Sequence, residues 1–223
     1  MYKAGPSNLA LFFLGAAAVS WLVFLVATGF PVYAWIYYRV KPDTSVRLGD
    51  LLANNAREFL AADRRRKRSS GGTFPPSPKI SLPAYDVSLP DGHWLEIPKI
   101  GVDTAIWEAP YEEHEKVFRK GVWRVPDFGT PVDGKRPIIL TAHRFGYLEW
   151  SNKYRRQNSF FNLPKLKEGD EVEIVWDKRK FKYKVVKVEE GEKITNYDVD
   201  LILYTCKFLV SPIRYFVYLV LST

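Results

Sequence analysis

The sequence predicts an all-β domain, a barrel or a sandwich with short helices, carried behind an N-terminal membrane-spanning helix and a linker. Residues 9–38 form an uncharged apolar run, and residues 69–83 are rich in Ser, Gly and Pro. From His93 onward, short segments rich in Val, Ile, Tyr, Phe and Trp alternate with turn residues. The 223 residues accommodate one globular domain with an appendage, but not two large domains.

A short tail, residues 1–8, precedes the apolar run. Residues 9–38 are rich in Leu, Val, Ala and Phe, with Trp21, Tyr33, Trp35, Tyr37 and Tyr38 towards the far end. A helix needs about 20 residues to cross a hydrocarbon core of about 30 Å, so thirty suffice with tilt or a kink, for which Pro31 is the candidate. A cleaved signal peptide has a shorter apolar core. Residues 39–91 read as a stalk: an amphipathic stretch over Leu48–Ala62, the basic run Arg64–Arg68, then Ser69-Ser70-Gly71-Gly72 and a proline-rich segment.

The predicted strands are Trp94–Ile100, Pro137–Ala142, Asp170–Trp176, Lys180–Glu189, Asp200–Thr205 and Ile213–Leu221. In Lys180–Glu189, Phe181, Tyr183 and Val185 alternate with Lys182 and Lys184, the pattern of an antiparallel sheet wet on one face. Helical pieces are expected around Tyr111–Phe118 and Ser159–Leu163. The apolar stretch Leu201–Leu221 resembles a second span, but Lys207, Pro212 and Arg214 at bilayer depth would cost several kcal/mol. Two strands joined by a Ser-Pro turn are expected instead.

The net charge of +8 is concentrated outside the β-rich part. Residues 1–91 hold 11 Lys and Arg against 6 Asp and Glu, and residues 92–223 hold 22 against 19. A domain so nearly balanced is a poor polyanion binder. The single cysteine excludes an intramolecular disulfide framework and a cysteine-rich zinc site.

That cysteine, Cys206, ends an apolar strand at the start of a turn, where a rigid sheet can hold a side chain in a cleft. An ordinary thiol is mostly protonated at neutral pH, so a nucleophilic one needs a base or a cation beside it. His143 closes the strand Pro137–Ala142 as Cys206 closes its own, which makes it the best partner. His93 opens the first strand, and His114 lies among Glu112, Glu113 and Glu115, where a solvated helical face accounts for it. Arg214 begins the strand expected to pair with that of Cys206. Its charge in an apolar hairpin fits either a salt bridge or an oxyanion-holding position.

Five segments in order carry a resemblance to a known family. They are Leu95–Asp103 (LEIPKIGVD), Ile138–Arg144 (IILTAHR), Phe160–Leu163 with Leu166–Asp170 (FFNL, LKEGD), Leu203–Cys206 (LYTC) and Arg214. Over residues 94–222 the chain resembles the sortases, membrane-anchored bacterial cysteine transpeptidases with an eight-stranded β-barrel. The resemblance implies Cys206 as nucleophile, His143 as general acid/base and Arg214 as the active-site arginine. Thr205 matches the threonine before the family cysteine, and Ala142 stands where a glycine usually precedes the histidine. Both are expected beside the substrate. The connection from Cys206 to Arg214, seven residues, is short for the family, and residues 69–93 lack an Asp-Pro-aromatic lid motif.

The resemblance further implies secreted protein substrates bearing an LPxTG-like sorting signal, an acceptor amine from peptidoglycan or a pilin lysine, no nucleic acid and no cofactor; calcium dependence is not legible. Residues 92–223 would then be an extracytoplasmic catalytic barrel on a single-pass anchor in the lipid bilayer of a bacterial cell membrane. Flanking charge alone, with Lys3 before the span and Arg39, Lys41 and Arg47 after it, favours the opposite orientation, but long domains translocate largely regardless of such charges. Two other readings compete: a tethered, non-catalytic binding barrel with Cys206 as packing, and a membrane-surface or nucleic-acid adaptor working through Arg64–Arg68.

Overall fold

The computed structural model describes residues 11–25, 57–58, 60–61, 82–133, 137–208 and 211–222, and the chain divides into two compact units, Met1–Thr44 and Ser45–Thr223. In the first unit, residues 11–25 form an exposed, uncharged and largely apolar helix. Among the described residues no helix is long and apolar enough to cross a membrane. The rest of the expected span, residues 9–10 and 26–38, lies outside the described residues. So does most of the stalk, of which residues 57, 58, 60 and 61 are helical.

The second unit holds a closed eight-stranded barrel. Its strands are β1 Trp94–Ile97, β2 Val102–Glu108, β3 Val122–Arg124, β4 Ile138–Thr141, β5 Glu171–Trp176, β6 Arg179–Gly191, β7 Leu201–Cys206 and β8 Arg214–Leu221. Around the barrel they run β1-β2-β3-β4-β7-β8-β6-β5, with β5 closing on β1. Two short helices accompany them, α1 His114–Phe118 and α2 Asn152–Asn158. The pairing is not all antiparallel, as the alternation in β6 suggested: β2 with β3, and β4 with β7, run parallel. The first parallel pair is linked by a crossover through α1, and the second by one through α2, β5 and β6. The apolar stretch at the end is a hairpin, since β7 and β8 pair antiparallel from Leu201↔Leu219 to Cys206↔Arg214.

Local chemistry corrects several sequence-derived boundaries. The expected strand Trp94–Ile100 stops at Ile97, because Pro98 starts a 3-10 turn that Gly101 ends at φ +73°. The helix expected over Ser159–Leu163 lies earlier, at Asn152–Asn158, where the Ser151 side chain accepts a hydrogen bond from Tyr154 N at 3.1 Å. The β5–β6 hairpin turns on Asp177 and Lys178, both at positive φ, the geometry of a mirror-image two-residue turn. The segment preceding the barrel straps this turn: Asp86 N donates to Lys178 O, and Lys178 Nζ pairs with Asp91 at 2.6 Å.

Two apolar clusters share the barrel wall. One is the interior, to which all eight strands contribute, among them Leu140 and Ala142 of the β4 segment, Leu201 and Leu203 of β7, and Val217 and Leu219 of β8. The other lies on the outer face of β3, β4, β7 and β8. Ile139, Ile202, Tyr204, Phe216 and Tyr218 pack there with Trp123 and with Val117 and Phe118 of α1. Four neighbouring strands are therefore buried on both faces, which is why β4 and β7 read as continuous apolar runs.

Candidate active site

The parallel register of β4 and β7 assembles the site. Every paired residue of β7 stands 63 positions after its partner on β4, from Ile138↔Leu201 to Thr141↔Tyr204. The same offset continues beyond the ladder. Thr205 Oγ1 donates to Ala142 O at 2.8 Å, and Arg144 Nη1 donates to Lys207 O. Between these two cross-links, at the same offset, lie His143 and Cys206. Neighbouring strands run about 4.8 Å apart, so imidazole and thiol issue from adjacent backbones. On the other side of β7, Cys206 is the direct partner of Arg214 on β8. Arginine, cysteine and histidine thus stand in a row across β8, β7 and the end of β4.

Side-chain alternation puts all three on one face. Cys206 follows Tyr204 and Ile202, Arg214 precedes Phe216 and Tyr218, and His143 follows Ile139, all at steps of two, and those residues form the outer cluster. The His143 ring lies 4.8 Å from that of Phe118, which fixes it at the cluster's edge.

Each group is held by identifiable partners. Arg214 Nη1 donates to Ser211 O at 2.5 Å and Ile213 O at 3.2 Å, so backbone carbonyls fix the guanidinium. Arg144 passes between the rings of Phe145 and Tyr215, 5.1 and 5.0 Å from their centroids. Cys206 is a free thiol, partly exposed at the strand end. Burial pushes its thiol up, and the positive charges of Arg214 and then Arg144 oppose that push. His143 Nε2 lies 3.1 Å from Tyr147 Oη and 3.6 Å from Glu115 Oε1, and Tyr147 Oη donates to the same carboxylate oxygen. A thiol, an imidazole backed by a carboxylate and a fixed guanidinium can carry out nucleophilic acyl chemistry.

The other sequence-derived candidates fall into place differently. Thr205 and Ala142, expected beside a substrate, are 1% and 4% exposed, and the threonine hydroxyl is bonded to the alanine carbonyl. They tie the strands beneath the site. His114 is not on a solvated face: it is 4% exposed, bonds through Nδ1 to Tyr111 O at 2.6 Å and packs against Phe118 and Trp123. It turns inward because α1 lays its 114, 117 and 118 positions on the barrel wall. His93 stacks on Trp176 with ring centroids 3.4 Å apart. Glu115 and Tyr147 escaped the sequence reading. Glu115 was one of several acidic residues on a short helix, and a histidine–tyrosine spacing of four carries no distinctive signal.

The family comparison matches residues 95–222, more than half of the chain, to the sortase domain. Among solved structures, sortase C2 of pilus island 1 from Group B Streptococcus is 26% identical, covering 59% of this chain and 73% of its own at a TM-score of 0.47. Sortase C of Streptococcus pneumoniae is 21% identical, covering 58% and 67% at a TM-score of 0.48. Sortase A of Listeria monocytogenes is 14% identical, covering 59% and 86% at a TM-score of 0.47. A search of the curated proteins gives no match. The matched residues span the whole barrel with Cys206, His143 and Arg214, and the chain belongs to the sortase family, whose members are cysteine transpeptidases.

Proposed function

We propose that this protein is a transpeptidase that cleaves an LPxTG-like sorting signal and joins the new carboxyl end to an amine of peptidoglycan or a pilin. His143 takes the proton of the Cys206 thiol, and the resulting thiolate attacks the scissile carbonyl carbon. The C–N bond breaks as His143 protonates the departing amine, leaving a thioester on Cys206. A second amine then attacks the thioester carbonyl and gives a proton to His143. The C–S bond breaks and the thiolate is regenerated. Arg214 and backbone N–H groups stabilise the tetrahedral oxyanion in both halves. The supporting observation is the unbroken 63-residue offset of β4 and β7, which sets His143 beside Cys206 with Arg214 opposite.

In this proposal residues 9–38 anchor the protein in the cell membrane and residues 39–91 extend the barrel away from it on the extracytoplasmic side. The fit is sterically simple, because protein substrates and a cell-wall amine both arrive from outside.

The test incubates the purified chain with sorting-signal peptides and an amine acceptor and follows products by mass spectrometry. A thioester adduct and an amide product are expected, and both are lost in Cys206→Ala and in His143→Ala. A wild-type protein that forms neither product with any peptide would refute the transferase reading and leave a tethered binding barrel.

A further inference from the structure

The neighbours of His143 form a directional chain. Tyr147 has one hydroxyl hydrogen, and that hydrogen goes to Glu115 Oε1. An ionised carboxylate can only accept, so the tyrosine oxygen has lone pairs but no proton left for the imidazole. Its contact with His143 Nε2 at 3.1 Å is then a bond in which Nε2–H is the donor. Glu115 is ionised: burial pushes its carboxyl up, but the hydrogen bonds and charge of His143, followed by Tyr147, outweigh that and hold it below its ordinary value of 4.5.

The arrangement is braced from outside. Arg119 lies over the Tyr147 ring at 4.1 Å and pairs with Glu149 at 3.1 Å. Trp150 meets the same ring edge-on at 5.1 Å. Gly146 permits this packing, since a Cβ there would stand 2.2 Å from Trp150 Cε3. Glu115 is carried on α1, whose Phe118 touches the imidazole directly. Helix α1 and the loop that follows β4 therefore converge on one nitrogen of His143.

We propose that Glu115 and Tyr147 are positioning residues that fix His143 as the Nε2–H tautomer, so that Nδ1 is the nitrogen exchanging protons with the departing and incoming amines. The inference rests on the transferase reading for its consequence in turnover, but not for the tautomer itself. During turnover the imidazole takes a proton on Nδ1 and becomes a cation 3.6 Å from the carboxylate, which stabilises it without accepting the proton.

The experiment uses the full chain in detergent micelles with 15N-labelled histidine. Long-range 15N–1H couplings of the neutral ring identify the protonated nitrogen of His143. Wild type is expected as Nε2–H. Glu115→Ala frees the tyrosine hydroxyl to donate to the ring, and the proton moves to Nδ1. In the peptide–amine assay this variant is expected to lose about 10–100-fold in kcat with KM unchanged, the scale of removing an outer partner from a working imidazole. Glu115→Gln, which keeps an acceptor oxygen for Tyr147, restores the Nε2–H tautomer and most of kcat. A wild-type Nδ1–H tautomer would overturn the proposal without any variant having to fold. So would a Glu115→Ala protein with unchanged tautomer and kcat. The couplings need no substrate, so a wild-type enzyme silent in the peptide assay would sink the transferase reading and leave the tautomer assignment standing.

Discussion

The Thr205–Ala142 bond offers a direct test of whether strand register, rather than the surrounding loops, holds the site. Both residues are almost fully buried, and the 2.8 Å bond lies one position below His143 and Cys206 on each strand. Thr205→Val keeps the side-chain shape and removes the donor. A buried hydrogen bond contributes about 1 kcal/mol net, and a buried carbonyl left without this donor costs about 1–3 kcal/mol, so a loss of roughly 2 kcal/mol is expected. Thr205→Ser keeps the hydroxyl and removes one methyl, which costs about 1 kcal/mol. Urea unfolding followed by tryptophan fluorescence measures both. The catalytic effect should be larger in proportion, because a displacement of about 1 Å between reacting groups can cost on the order of 10²-fold. Valine should therefore reduce kcat in the peptide–amine assay by at least about tenfold, while serine stays near wild type. A valine variant as stable and as active as wild type would show that this bond holds nothing, and that the site is positioned from elsewhere.

Three further outcomes are expected. Gly146→Ala places a methyl group against Trp150 at a backbone with φ +67°, so it should displace Tyr147 and lower kcat while costing about 1–3 kcal/mol in a thermal melt. Because the folded-state Glu115 carboxyl titrates below its ordinary value of 4.5, it contributes stability present above that value and lost as pH falls through the lowered one. Urea midpoints measured from pH 6 downward should therefore fall less steeply in Glu115→Gln, and parallel curves would contradict this. Burial holds the Cys206 thiol above its ordinary value against Arg214 and Arg144. Alkylation by iodoacetamide should accordingly be slow at neutral pH, climb through the alkaline range and become slower still in Arg214→Ala.

Much of the barrel was legible in the sequence because its strands are either alternating or buried on both faces. The ends of β4 to β8 fall within two residues of the predicted ones. β2 and β3 were missed for different reasons. In β2 the buried positions Val102, Thr104 and Ile106 include a polar residue and are separated by Asp103 and the small Ala105, and the strand starts directly after Gly101, two residues past the expected end of the first strand. β3 has only three residues, too few for any period to show. Helix α2, NKYRRQN, buries none of its residues and so has no apolar stripe. Of the site, Cys206, His143 and Arg214 were accessible because each terminates an apolar strand with a reactive or charged group. The parallel direction of β4 and β7 was not, since it depends on how the intervening crossover is routed.

The outer cluster has a consequence for how such a site is kept in place. A strand buried on one face only could tolerate a shift of two residues along its neighbour, since inward and outward positions would be preserved. Here a two-residue slip of β7 against β4 would move Cys206 out of line with His143, and it would also pull Ile202 and Tyr204 from their places against Ile139 and Trp123. Burying several such aromatic and aliphatic side chains stabilises the register by about 1.5–3 kcal/mol each. The interior cluster sets the barrel and the outer one sets the register. The three reactive groups sit where the outer cluster ends, at the first positions on the outer face of β7, β8 and the β4 segment where the wall meets solvent. The same packing that buries β4 and β7 on both faces thus delivers a thiol, an imidazole and a guanidinium to one edge.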